Sequence, residues 1–125
     1  MPKEITALMV EPGRHPRTVT LKTDLDSLQK AVSIGADYQG LIEIISIEKG
    51  VCILCNEEGK LIGLDGNRRL GRDVIAGVFY VLGDSEDGEL VSLAEEKLKF
   101  YREFFWEPEL FDRTDMEPLA FFTFL

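Results

Sequence analysis

The sequence predicts an α+β domain: a mostly antiparallel sheet of about five to six strands with two helices packed on one face. Three observations carry this. Apolar runs of strand length recur along the chain, two stretches carry helical spacing, and the order reads ββαβββ and then a further strand and helix. Residues 4–10 (EITALMV) hold apolar side chains on both faces, as an inner strand does. A turn with two prolines and a glycine (EPGRHPR, 11–17) leads to TVTLK (18–22), where Val19 and Leu21 alternate with polar residues. The pair reads as a hairpin with a half-exposed second strand.

The first helix follows, with Thr23 as the expected cap and Asp24 and Asp26 in the first turn, where carboxylates favour the dipole. Leu25, Leu28 and Val32 fall on one face. After SIGADYQG (33–40), LIEIISI (41–47) and VCILC (51–55) are strands joined by EKG, and NEEGK turns into LIGL. The uncharged run VIAGVFYVL (74–82) predicts one central strand buried on both faces. In the second helix, SLAEEKLKFYREFF (92–105), Ser92 and Glu95 have the spacing of a capping box, and Ala94, Leu98, Tyr101 and Phe105 form the expected buried stripe.

With 125 residues, 45% hydrophobic and 30% charged, the chain is expected to form one domain over 1–106, followed by an acidic tail, 107–125, that ends in the apolar run LAFFTFL and packs on the same domain. That length buries roughly two-thirds of the unfolded surface without a metal or disulfide staple. No run approaches a membrane span, and the first residues lack a signal peptide's apolar stretch, so a cytoplasmic location is expected.

The net charge of −9 is uneven: residues 1–83 carry 11 acidic and 10 basic groups, residues 84–125 carry 12 and 4. This disfavours direct nucleic-acid binding, which needs Lys and Arg on phosphates. It allows a basic protein partner, met by Asp84, Glu86, Asp87, Glu89, Glu107 and Glu109, although most such runs are solvated surface.

GNRRLGRD (66–73) comes close to the phosphate-cradling loop G-x-x-x-x-G-K-[ST], but Arg72 replaces the lysine and Asp73 stands where a hydroxyl should hold Mg²⁺. A strand, rather than a helix, is expected next, so the match reads as chance. Arg68, Arg69 and Arg72 could still grip a carboxylate or phosphate; the alternative is an exposed loop whose arginines pair with acidic neighbours. Cys52 and Cys55 spell C-x-x-C inside a strand, where residues three apart point to opposite faces, so they read as buried thiols rather than a redox or metal pair. His15, the only imidazole, lies in a proline turn, which leaves zinc and His-based nucleophilic catalysis poorly supplied. Neither DGNRRL nor DSEDGE has the calcium-loop spacing. No metal or cofactor is expected, and nothing in the chain requires an enzyme.

At VEPGRHP, LDSLQKAV, CNEEGKLIGLDGNRRL and DVIAGVFYVLG the chain resembles a domain-of-unknown-function family of small proteins carried on conjugative elements and phages of gut anaerobes. The resemblance runs over about 5–105 and is most specific at Asn56-Glu57-Glu58-Gly59 and Asn67-Arg68. It implies a mobile-element accessory protein without an established activity. The pair Asp65-Gly66 departs from the family's pattern, residues 33–40 form a longer connection, and the tail after Phe105 lies outside it.

The expected function is therefore a non-enzymatic interaction module whose acidic C-terminal third engages a basic, nucleic-acid-binding partner. The alternative is a small anionic-ligand or catalytic site on the Asn56–Lys60 and Asp65–Arg69 loops, using Asn56, Glu57, Asn67, Arg68 and Arg69. For Asn56 and Asn67, turn geometry is the simpler role. A third reading is a homo-oligomeric subunit plugged by LAFFTFL.

Overall fold

A computed structural model of the chain describes residues 3–112 and 116. Its elements are β1 (Glu4–Val10), β2 (Arg17–Lys22), α1 (Leu25–Ala31), β3 (Ile42–Glu48), β4 (Val51–Asn56), β5 (Gly66–Leu70), β6 (Asp73–Ala76), β7 (Phe79–Asp84), β8 (Leu90–Val91) and α2 (Glu95–Phe104). The main sheet has six strands in the order β2-β1-β7-β4-β3, with β8 added beside β7. All its pairings are antiparallel. β5 and β6 form a separate hairpin. The α+β class and the antiparallel six-stranded sheet are as expected.

The helices cover opposite faces rather than one. Strand alternation sends Leu8, Val10, Ile53, Cys55, Phe79 and Val81 towards Leu98, Tyr101 and Phe105 at α2. It sends Ala7, Met9, Cys52, Leu54, Tyr80 and Leu82 towards Leu28 and Val32 at α1. Every residue of β4 is buried, and so are the first five of β7, because both faces have cover. Each fully buried large side chain, such as Phe79, contributes about 1.5–3 kcal/mol.

The run 74–82 is not one strand. Gly77 has φ +82° and donates its N–H to the Asp65 carbonyl at 2.7 Å, which separates β6 in the hairpin from β7 in the sheet. The left-handed backbone favours glycine there, and a Cβ, 2.7 Å from Leu64 Cδ1, would also push that side chain aside. LIGL belongs to a turn, with Leu64 packed beneath Gly77.

Both helix starts differ from expectation in which side chain does the work. Asp24 is the N-cap of α1 and accepts from the Ser27 N–H at 3.0 Å, while the Thr23 hydroxyl donates to the Lys3 carbonyl. The N-cap of α2 is Ala94, without a side-chain bond. The Ser92 hydroxyl instead accepts the Thr6 N–H at 2.9 Å, and the Leu93 N–H donates to the Thr6 carbonyl, so the segment is stitched to β1 rather than boxed with Glu95. Leu93, not the exposed Ala94, joins Leu98, Tyr101 and Phe105 in the core, and Leu25 is exposed beside the buried Leu28 and Val32.

Candidate functional site

Three places gather the residues with chemistry. The first is a buried knot beneath the β5–β6 hairpin. Asn67 and Arg68 are 0% and 1% exposed. The Asn67 amide donates to the Val10 and Gly77 carbonyls, both at 2.8 Å. Arg68 donates through Nε to the Phe105 carbonyl, through one terminal nitrogen to the backbone and side-chain oxygens of Asn67, and through the other to the Arg14 carbonyl. Burial draws the guanidinium below its ordinary pKa, and Glu109 and Glu107 oppose that. Its donors are turned inward onto protein carbonyls, so Arg68 is a fastening for the C-terminal helix. Neither asparagine uses a left-handed backbone. Asn56 does hold a turn, accepting the Glu58 N–H at 2.9 Å, whereas Asn67 bridges strands.

Arg69 faces outward from the same strand. Its N–H donates to Glu109 at 2.9 Å, and its guanidinium lies 5.4 Å from the centre of the Phe111 ring. Gly66 leaves room for this segment: a Cβ there would meet Phe111 Cδ2 and Met116 Sδ, each at 2.7 Å. The departure from the resemblance at Gly66 thus sits where residues beyond 105 pack. His15 completes this end, stacked on Trp106 with 4.0 Å between ring centres and donating Nδ1–H to the Trp106 carbonyl. The run LAFFTFL lies outside the described residues.

The second place is the expected acidic surface, which resolves into two patches. Asp84, Glu86, Asp87 and Glu89 sit at or beside the β7–β8 turn. Glu107 and Glu109 follow α2 and lie at the Arg68–Arg69 end, beside Val10 and Arg14. In the β1–β7 register Phe79 meets Val10, so Asp84 points to the opposite end of the sheet. At about 3.3 Å per residue the length of β7 puts roughly 17 Å between them.

The third place is a cleft of ≈ 410 Å³ between the β3–β4 edge, the turn after β4, and β6. Ile45, Val74 and Ile75 line it, together with the carboxylates of Glu43, Glu57, Glu58 and Asp73. Among the described residues Lys60 is the one cation lining it, and its ammonium is already paired with Asp73. The Cys55 thiol donates to Glu43 at 3.8 Å. Burial, then the Glu43 charge, pushes that thiol up to about 12; burial pushes Cys52, on the other face, up to about 11. Neither is a nucleophile near neutral pH. The cleft unites Asn56, Glu57 and Lys60, taken from the sequence, with Glu43 and Asp73, which the sequence reading missed. The signal for Glu43 was the alternation of IEIISIE, which puts it on the same face as Ile45. A larger, shallower groove of ≈ 640 Å³ along α2 mixes Glu95, Glu96, Lys99 and Arg102, and Arg102 already donates to Thr18.

The family model for DUF3846, a domain of unknown function, matches residues 5–105, from the start of β1 to the residue capping α2. The chain belongs to that family. No curated protein and no solved structure matches it. The DUF3846 match contains the whole cleft and the Asn67–Arg68 knot together with its Phe105 acceptor, while Glu107, Glu109 and Phe111 lie beyond it. The strand that follows GNRRLGRD agrees with reading the phosphate-loop match as chance, since the amides enter a hairpin rather than a helix N-terminus. Among the described residues of this DUF3846 chain no three His, Cys, Asp or Glu side chains are placed to hold a metal, and no helix is long and apolar enough to cross a membrane.

Proposed function

We propose that the protein is a non-enzymatic interaction module that receives a basic segment of a partner protein in the Glu43–Asp73 cleft. The single observation carrying this is the composition of that cleft: among the described residues, an apolar lining with four carboxylates against one lysine, itself already paired. An aliphatic floor takes the methylene stems of lysine or arginine, and the rim takes their charged ends. The patches at Asp84–Glu89 and Glu107–Glu109 add long-range attraction, which speeds encounter more than it tightens the complex. An anion site at Arg68 is disfavoured because its donors are spent on carbonyls.

The resemblance to small proteins of conjugative elements and phages supports an accessory role in the cytoplasm, with a nucleic-acid-binding protein as the natural basic target. The test is a binding titration of the full chain with lysine- and arginine-rich peptides over a range of salt. The double variant Glu43→Gln/Glu57→Gln should bind about ten-fold more weakly, with a shallower salt dependence. Neutralising Glu86 and Asp87 should leave the dissociation rate unchanged. Undiminished affinity in the double variant overturns the reading.

A further inference from the structure

We infer that the partner segment binds as an added β-strand along the outer edge of β3, with basic and apolar side chains in alternation; this rests on the reading of the cleft given above. Among the described residues β3 ends the sheet, and its pairing there is to β4 alone. The Glu57 N–H donates to the Leu41 carbonyl at 3.0 Å, which fixes the phase of the antiparallel ladder. Counting in the β3–β4 register, Glu43 and Ile45 are the hydrogen-bonded positions. Ile42, Ile44 and Ser46 therefore turn their N–H and C=O groups away from β4, towards the open edge.

Edge strands are ordinarily blunted by lysine, proline or bulges. IEIISIE has neither lysine nor proline, and its one irregularity falls after Ser46, beyond these three positions. Ile44 is 49% exposed in the middle of the strand. The opposite edge, β2, carries Arg17 and Lys22, and its Thr18 hydroxyl already accepts from Arg102.

Charge selects the occupant. On the cleft face Glu43 and Ile45 flank the edge, with Asp73 across the cleft. On the other face stands Ile44. A neighbouring strand sends alternate side chains to the two faces, so one set meets carboxylate and the other meets isoleucine. A lysine-valine alternation satisfies both. A second copy of this chain would bring Glu43 and the cleft carboxylates towards their own counterparts, a like-charge approach that disfavours the symmetric pairing.

The experiment uses the full chain, a peptide of about seven residues alternating lysine with valine, and a block peptide of the same composition. Affinity and residue-resolved amide hydrogen exchange are measured together. The expected result is tighter binding of the alternating peptide, with new protection at Ile42, Ile44 and Ser46 and no change at Glu43 and Ile45. Ile44→Pro removes an outward N–H without touching the β3–β4 ladder and should weaken binding about ten-fold. If that variant does not fold, N-methylation at alternate peptide amides supplies the same block.

Binding without protection of the three amides overturns strand addition and leaves the basic-partner reading standing. Failure of both peptides to bind overturns both. A dimer that protects the same amides without peptide assigns the edge to a second copy and overturns the inference.

Discussion

The Arg68 guanidinium donates to the Phe105 carbonyl at 2.9 Å across 37 residues of chain, closing the last turn of α2 with a positive charge. Helix C-termini leave carbonyls without intrahelical donors and carry the negative end of the dipole, so a buried guanidinium suits the position. The same side chain satisfies the Arg14 and Asn67 carbonyls.

Truncation at this position should therefore be costly. Arg68→Ala strands buried acceptors and is expected to lower stability by about 3 kcal/mol, read as a lower midpoint in urea unfolding. Arg68→Lys should recover only a minority of the loss, because an ammonium cannot reproduce the planar fork. Full recovery by lysine would show that charge alone matters.

Gly66 makes a separable prediction. Gly66→Val puts side-chain atoms where Phe111 and Met116 pack, and should displace the segment after Trp106 while leaving the sheet intact. Faster protease cleavage beyond Trp106 and faster exchange of the Arg69 amide, which Glu109 otherwise holds, would report it. Unchanged exchange at Arg69 would refute the displacement.

The thiols give a pH dependence with a definite sign. Cys52 and Cys55 ionise at about 11 and about 12 when folded, against an ordinary 9.0. Because the folded values are raised, the unfolded chain loses its thiol protons first. Stability should hold below pH 9 and fall as pH climbs towards the folded values. Thermal melts from pH 7 to 11 should show this fall, and Cys52→Ala/Cys55→Ala should reduce its steepness. Iodoacetamide at pH 8 should alkylate neither cysteine at the rate seen in denaturant.

Much of the sheet was legible. TVTLK alternates, and EITALMV and VCILC are apolar on both faces, because local period alone encodes which way strand side chains point. That two-sided burial also implied cover on both faces, and it argued against placing both helices on one. The run VIAGVFYVL misled because β6 and β7 are equally apolar; only the backbone angle at Gly77 divides them, and composition does not carry an angle. Ser92 was read as a local cap, but its hydroxyl is spent on Thr6, 86 residues away. Arg68 and Asn67 looked like loop surface for the same reason: their acceptors, Phe105 and Val10, are remote in sequence. In the cleft the near half, Asn56 to Lys60, was visible as a polar turn. Glu43 and Asp73 join it through strand pairing and chain crossing that sequence spacing does not show.

The order β2-β1-β7-β4-β3 has a consequence for synthesis on the ribosome. β1 with β2, and β3 with β4, are hairpins that close locally as soon as each emerges. Among the described residues they share no ladder with each other, and β7 alone joins them. Until Phe79–Asp84 has left the exit tunnel, the nascent chain presents two separate hairpins, each with an apolar edge awaiting the same missing strand. The vulnerable interval in the life of this protein is therefore the emergence of residues 57–84 from the tunnel, when a chaperone, or a neighbouring nascent chain, competes with β7 for the gap.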